Sequence, residues 1–230
     1  MPHLTQSPFV VRNIMKALLF TALTIFSVTV FGQKTIRNSI TTIPQLSIYN
    51  IHGDTTSLHA ISKNKLTFID FWFIPCGPCF VEMNMLHQLY SEYKDNPNIS
   101  FLTITITDSA FVRPLMENRN SDSNQTFNYF KSLADLDSFR LPVYFIKGLT
   151  SKQKVFIKSN IRGHIGYSGR RENQDFDSLI KPDKIFGFSG YPTIFIFDKN
   201  GKVIYNETGF TKDKEMKQKR KIETLIKLNL

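Results

Sequence analysis

Cysteine is scarce in this chain: 230 residues contain two. They are Cys76 and Cys79, three positions apart, so any disulfide between them closes a tiny loop and constrains the unfolded chain little. A zinc site needs a second pair of ligands at suitable spacing. The five histidines (His3, His52, His59, His87 and His164) supply no such pair. His87 falls in an apolar stretch and reads as a packed residue. Internal repeats are missing, and no apolar run beyond the N-terminus suggests a membrane span. Tryptophan occurs once. What the chain has instead is an ordinary globular balance, 41% hydrophobic and 21% charged, with 21 phenylalanines that point to an aromatic core. Its length suffices for one well-filled domain, or a domain with an embellishment.

The first thirty-odd residues stand apart. Arg12 and Lys16 precede an uncharged, mostly apolar run, Ala17–Phe31, closed by Val30-Phe31-Gly32. A basic start, a 15-residue apolar run and small or branched residues at the −3 and −1 positions read as a secretory signal peptide cleaved after Gly32. The run is shorter than the roughly 20 residues of a usual span, so a retained anchor is the second reading. Met15 is an alternative start. Neither cysteine is near this segment, which leaves no candidate for a lipid-modified N-terminal Cys.

The formal charge is +10. Without residues 1–32 there remain 27 basic and 19 acidic residues, a net +8. No nucleic-acid-binding motif accompanies the excess. The basic residues are scattered, apart from Lys212, Lys214, Lys217, Lys219, Arg220 and Lys221. Apolar Ile222, Leu225, Ile226 and Leu228 follow, and the whole reads as a terminal amphipathic helix with a solvated basic face.

Residues 33–45 are a polar lead-in. Leu46–Ile51, His52-Gly53-Asp54 and Thr55–Leu58 predict a hairpin. Leu66–Phe73 is a nearly unbroken apolar run, the mark of a strand buried on both faces. The Cys76-Gly77-Pro78-Cys79 motif follows, then Phe80, Met83, Leu86, Leu89 and Tyr90 at helical spacing as far as Asn96, before Pro97. Ile99–Thr107 reads as a strand, Phe127–Leu136 as a helix and Leu141–Ile146 as a short apolar run. Residues 148–185 are polar and aperiodic and read as an insertion. Thr193–Asp198 and Lys202–Tyr205 flank an Asn200-Gly201 turn, a strong hairpin signal. The order predicts an α/β sandwich with a mixed central sheet.

Of the readings open to a CxxC pair, a redox dithiol fits its context best: the motif leaves a buried strand and opens a helix. At a helix N-terminus, unpaired N–H groups and the helix dipole stabilise the Cys76 thiolate, which is the attacking species. Cys79, one turn inside, is placed to resolve a mixed disulfide. Pro78 occupies an early helix position where its missing N–H costs little.

Asp70-Phe71-Trp72 followed by Cys76-Gly77-Pro78-Cys79 resembles the thioredoxin superfamily. The upstream hairpin, the export signal, Glu82-Met83 and Gly190-Tyr191-Pro192-Thr193 are similar to its TlpA/ResA branch of bacterial exported thiol–disulfide oxidoreductases, several of which serve cytochrome c maturation. The resemblance spans about Leu46–Phe210 apart from the insertion. It implies a thioredoxin-like fold over residues 46–230, with an N-terminal β-hairpin extension and an insertion before the cis-proline strand. It implies a cis bond at Pro192, against an ordinary trans proline opening a strand. Asp70 matches the buried acid that takes the proton of the resolving Cys, against a plain polar residue at a strand end. Glu82 matches an acid able to tune the thiols, against an exposed helical Glu. Trp72, Pro75, Gly77, Pro78, Tyr191 and Thr193 take the substrate-binding positions. Ile74-Pro75 and Asn84 depart from the branch, and bear on which partner is served.

The expected activity is thiol–disulfide exchange on exported proteins in a bacterial periplasm or cell envelope. The Gly-Pro dipeptide resembles that of the reducing members. The cofactor is the Cys76–Cys79 disulfide itself, with no metal. The implied partners are exported disulfide substrates and an upstream membrane thiol reductant, with membrane contact only through a retained leader and no nucleic acid. The rival is a copper-binding assembly protein of the same fold, since thiolates suit Cu(I); its CxxxC spacing and His partner are not matched here. A peroxidase would need a lone peroxidatic Cys apart from the pair.

Overall fold

The strand β3 (Leu66–Trp72) buries all seven of its side chains, and the sheet extends to either side of it. The computed structural model describes residues 40–74, 76–117, 125–147, 157–159, 165–167 and 182–230. The leader over residues 1–32, Pro75 and most of the 148–185 insertion lie outside the described residues. Before β3 come β1 (Ser47–Asn50), β2 (Thr55–Ser57) and the short α1 (Leu58–Ser62). After it come α2 (Gly77–Tyr93), β4 (Ile99–Thr105), α3 (Ser109–Met116), α4 (Gln125–Ala134) and β5 (Val143–Ile146). The insertion contributes β6 (Ile157–Ser159) and β7 (Ile165–Tyr167), paired antiparallel, and α5 (Pro182–Phe186). β8 (Thr193–Phe197), β9 (Val203–Thr208) and α6 (Glu215–Asn229) close the chain.

Seven strands form one mixed sheet in the order β2-β1-β5-β4-β3-β8-β9. β4 runs parallel to both β3 and β5, as connections through helices permit, while β8 is antiparallel to β3 and β9. The predicted N-terminal hairpin is present and adds to the sheet through β5. Period-two alternation divides β3 between two apolar layers. Leu66, Phe68 and Trp72 pack with α2, α3, α4 and α6, whereas Ile69 and Phe71 pack with α1 and α5. The aromatic excess is spent here. Phe71, Phe186, Phe188 and Phe195 meet on the second face, and Trp72, Phe80, Phe130 and Phe139 on the first.

Two features differ from the sequence reading. The end of the lead-in, residues 40–45, packs with the domain: Ile43 N–H donates to Gly201 O at 2.9 Å, Val203 N–H donates to Thr41 O at 2.9 Å, and Ile40 and Ile43 pack on the second layer. The helix α3 was not expected. It is short and contains Pro114, yet Asp108 caps it by accepting from Ala110 N–H at 2.8 Å, and Val112 and Leu115 are fully buried. Burial of two apolar residues outweighs the weak local propensity. Among the described residues no helix is long and apolar enough to cross a membrane.

Candidate active site

The end of β3 delivers the chain to a tight turn and then to α2. Cys76 N–H donates to Phe73 O at 2.9 Å, and Ile74 N–H donates to the buried Thr107 hydroxyl at 2.8 Å. Thr107 follows β4, so the turn is fastened to the neighbouring strand. Cys76 is the N-cap residue of α2, with extended backbone, and its Sγ accepts from Cys79 N–H at 3.2 Å. A thiolate formed there meets an unpaired helical N–H and the positive end of the dipole. Cys76 and Cys79 are joined in a disulfide with their Cα atoms 5.2 Å apart. Cys76 is 6% exposed and Cys79 1%, so Cys76 is the less buried of the two.

The proline-bearing loop borders the same turn. Thr193 stands opposite Phe71 in the β3–β8 ladder, and the Tyr191–Pro192 bond is cis, as the resemblance implied. Gly209 N–H donates to Pro192 O at 2.7 Å. The Thr193 hydroxyl donates to Gly190 O at 2.6 Å and meets the Thr208 hydroxyl at 2.9 Å. Half-buried Tyr191 places its ring edge-on to Phe73, centroids 5.1 Å apart, and against Phe188 at 5.2 Å.

These positions sort the substrate-contact residues. Pro78 is exposed, and Gly77 and Tyr191 are half-buried. Trp72 is completely buried in the first layer against Phe80 and Phe139, which corrects its reading as a substrate contact: it is a core residue. Thr193 is likewise buried, its hydroxyl held in internal hydrogen bonds and its backbone in register with Phe71 on β3 and Thr208 on β9, which corrects its reading as a substrate contact. Pro75 lies outside the described residues.

Asp70 and Glu82 are both 1% exposed, so neither the plain strand-end Asp nor the exposed helical Glu describes this chain. Asp70 alternates with Phe68 and Trp72 on the face that receives α2, and Glu82 lies one turn beyond Cys79. Burial pushes the Asp70 carboxyl up to about 8. The Phe71 N–H works against that rise, but neither Asp70 oxygen has a hydrogen-bond partner among the described residues. Glu82 is also held well above the usual carboxylate range, first by burial and then by the charges of Asp70 and Glu207. Its Oε1 accepts from Gln218 Nε2 at 3.5 Å, while Oε2 has no partner among the described residues. Two desolvated carboxyls that feel each other's charge cannot both be ionised at low cost, so at neutral pH the pair holds a proton.

His87 is a packed residue, as its apolar surroundings suggest. Its Nε2 accepts from Arg140 N–H at 2.9 Å and its Nδ1 lies 2.7 Å from Met83 O, an arrangement that suits a neutral ring protonated at Nδ1. Among the described residues no three His, Cys, Asp or Glu side chains are grouped to hold a metal ion. Thr107 and Gln218 escaped the sequence reading. The one signal for Gln218 was an uncharged polar residue in line with Ile222 and Ile226, at four-residue spacing, on a Lys-rich helix.

A scan against family models and a search of curated proteins both found no match. Solved structures do align. An uncharacterized thioredoxin-like protein from Porphyromonas gingivalis is 22% identical, over 83% of this chain and 95% of its own, with a TM-score of 0.44. A thiol-disulfide oxidoreductase from Bacteroides fragilis is 17% identical over 79% of this chain and 98% of its own, with a TM-score of 0.44. The thioredoxin domain of a Bacteroides vulgatus thiol-disulfide oxidoreductase is 16% identical over 82% and 97%, with a TM-score of 0.45. On its own strand order, its CxxC at the N-terminus of α2 and its cis-proline loop beside that turn, the chain has a thioredoxin-like fold.

Proposed function

We propose that this chain is a thiol–disulfide oxidoreductase that reduces disulfides in exported proteins, with Cys76 as nucleophile and Cys79 as resolving residue. The observation that carries the reading is the asymmetry of the pair: Cys76 caps a helix and is the more accessible sulfur, while Cys79 is sealed one turn inside, on the helix that carries Glu82.

In the reduced protein the Cys76 thiolate attacks one sulfur of the substrate disulfide. A bond forms between the two sulfurs, the substrate S–S bond breaks, and the leaving thiolate takes a proton from solvent. Cys79 then loses its proton to Asp70 in molecules whose Asp70 carboxyl is ionised, a fraction that grows as the pH approaches 8, and attacks Cys76 Sγ. The Cys76–substrate bond breaks, the second substrate thiolate leaves and is protonated, and the Cys76–Cys79 disulfide remains. The substrate has gained two electrons and two protons, and the enzyme has lost two electrons. An upstream dithiol must return them. Export rests on the basic and apolar pattern of residues 12–32, and the reducing direction on the Gly-Pro dipeptide between the cysteines.

The test is capture. Cys79→Ser removes the resolving thiol, so the variant accumulates as a mixed disulfide with its substrates, released by dithiothreitol. Cys76→Ser captures nothing. Equal capture by both variants, or by neither, contradicts the assigned roles.

A further inference from the structure

The terminal helix α6 reaches the redox site through one side chain. Gln218 is 5% exposed and lies on the same helical stripe as buried Ile222 and Ile226. Its amide Nε2 donates to Glu82 Oε1 at 3.5 Å. Tyr205, on β9, donates to Glu207, and Lys221 of α6 lies 4.6 Å above the Tyr205 ring. Glu82 of α2 thus meets Gln218 of α6 directly and feels the charges of Asp70 on β3 and Glu207 on β9. Among the described residues Gln218 is the side chain that donates to a Glu82 carboxyl oxygen, and it is neutral. A buried amide with donors and an acceptor is costly to keep on an apolar stripe unless its partners use it.

We infer that Gln218 is a positioning residue of the dithiol site: from α6 it donates to one oxygen of Glu82, which lies one turn beyond Cys79 on α2. The inference rests on the redox reading above. A hydrogen bond donated to an ionised carboxylate favours the ionised form. Gln218 therefore sets the pH at which the pair can accept the proton of Cys79, although it touches neither sulfur nor substrate.

The experiment uses the full chain and a double-mutant cycle. The reduction potential of the Cys76–Cys79 pair is measured by glutathione equilibration across pH, and the pair's titration is read as the pH at which the slope breaks. Gln218→Met keeps length and apolar packing but removes the donor. It moves the break upward by about one pH unit, a tenfold rise in proton affinity. In a Glu82→Gln background the same substitution leaves the break where that background has it. A second measurement needs no variant at Gln218: in the wild-type chain the Gln218 side-chain amide resonances titrate with the same midpoint as the potential.

No shift in Gln218→Met, a shift that persists in the Glu82→Gln background, or amide resonances that do not titrate would each overturn the inference. A wild-type chain that never exchanges with glutathione would instead sink the redox reading itself. The two failures are thus distinguishable.

Discussion

Replacing Asp70 by Asn converts a buried titrating group into one that stays neutral. The sign follows from the direction of the shift. Burial raises the Asp70 carboxyl from its ordinary 3.8 to about 8, so between those values the folded chain keeps a proton that the unfolded chain has lost. Stability therefore falls with rising pH across that window, by about 1.4 kcal/mol per unit, and levels off above it. At pH 7 the native Asp70 costs about 4 kcal/mol relative to pH 4. Asn carries its own penalty for an unpaired buried amide, about 1–3 kcal/mol, but that penalty does not depend on pH. Urea unfolding of the disulfide-intact wild type and Asp70→Asn at pH 4, 5.5, 7 and 8.5 separates the two terms. The difference between the proteins should swing in favour of Asn by about 4 kcal/mol from pH 4 to pH 7. A difference constant with pH would refute the claim that Asp70 is desolvated and protonated in the folded chain.

Two further predictions concern the frame of the site. His87 is held neutral by burial and by the Arg140 charge, so its folded-state proton affinity is depressed; its stabilising contribution is complete above the ordinary value of 6.5 and is lost as pH falls below it. In thermal melts His87→Leu should remove that acid-side loss, and an unchanged pH profile would count against the assignment. Thr107→Val takes the acceptor from Ile74 N–H while preserving shape, at a cost of about 1–3 kcal/mol in chemical unfolding. A neutral Thr107→Val would mean that β4 does not fasten the turn.

Much of this architecture is legible in the sequence because the dominant signals are local. The unbroken apolar run of β3 needs no partner to be recognised, and the helical spacing from Phe80 onward identifies the packed face of α2. The Asn200-Gly201 turn marks its hairpin in two residues. What escaped depends on distant neighbours. Trp72 beside a redox motif reads as a contact residue until the sheet closes over it, and Thr107 and Gln218 act through partners 33 and 136 positions away. Asp70 shows both sides. Its type and place marked it as a candidate, but its isolation from hydrogen-bond partners emerges only when β3, α2 and α6 are packed together.

The equilibrium reduction potential of the Cys76–Cys79 pair tests the central claim most directly. Ready exchange with a thiol buffer is expected, at a value near that of thioredoxin, about −270 mV. A value near roughly −120 mV, that of a strong oxidant, would reverse the direction of transfer. A disulfide that exchanges with neither glutathione nor dithiothreitol would contradict the account and leave only the fold.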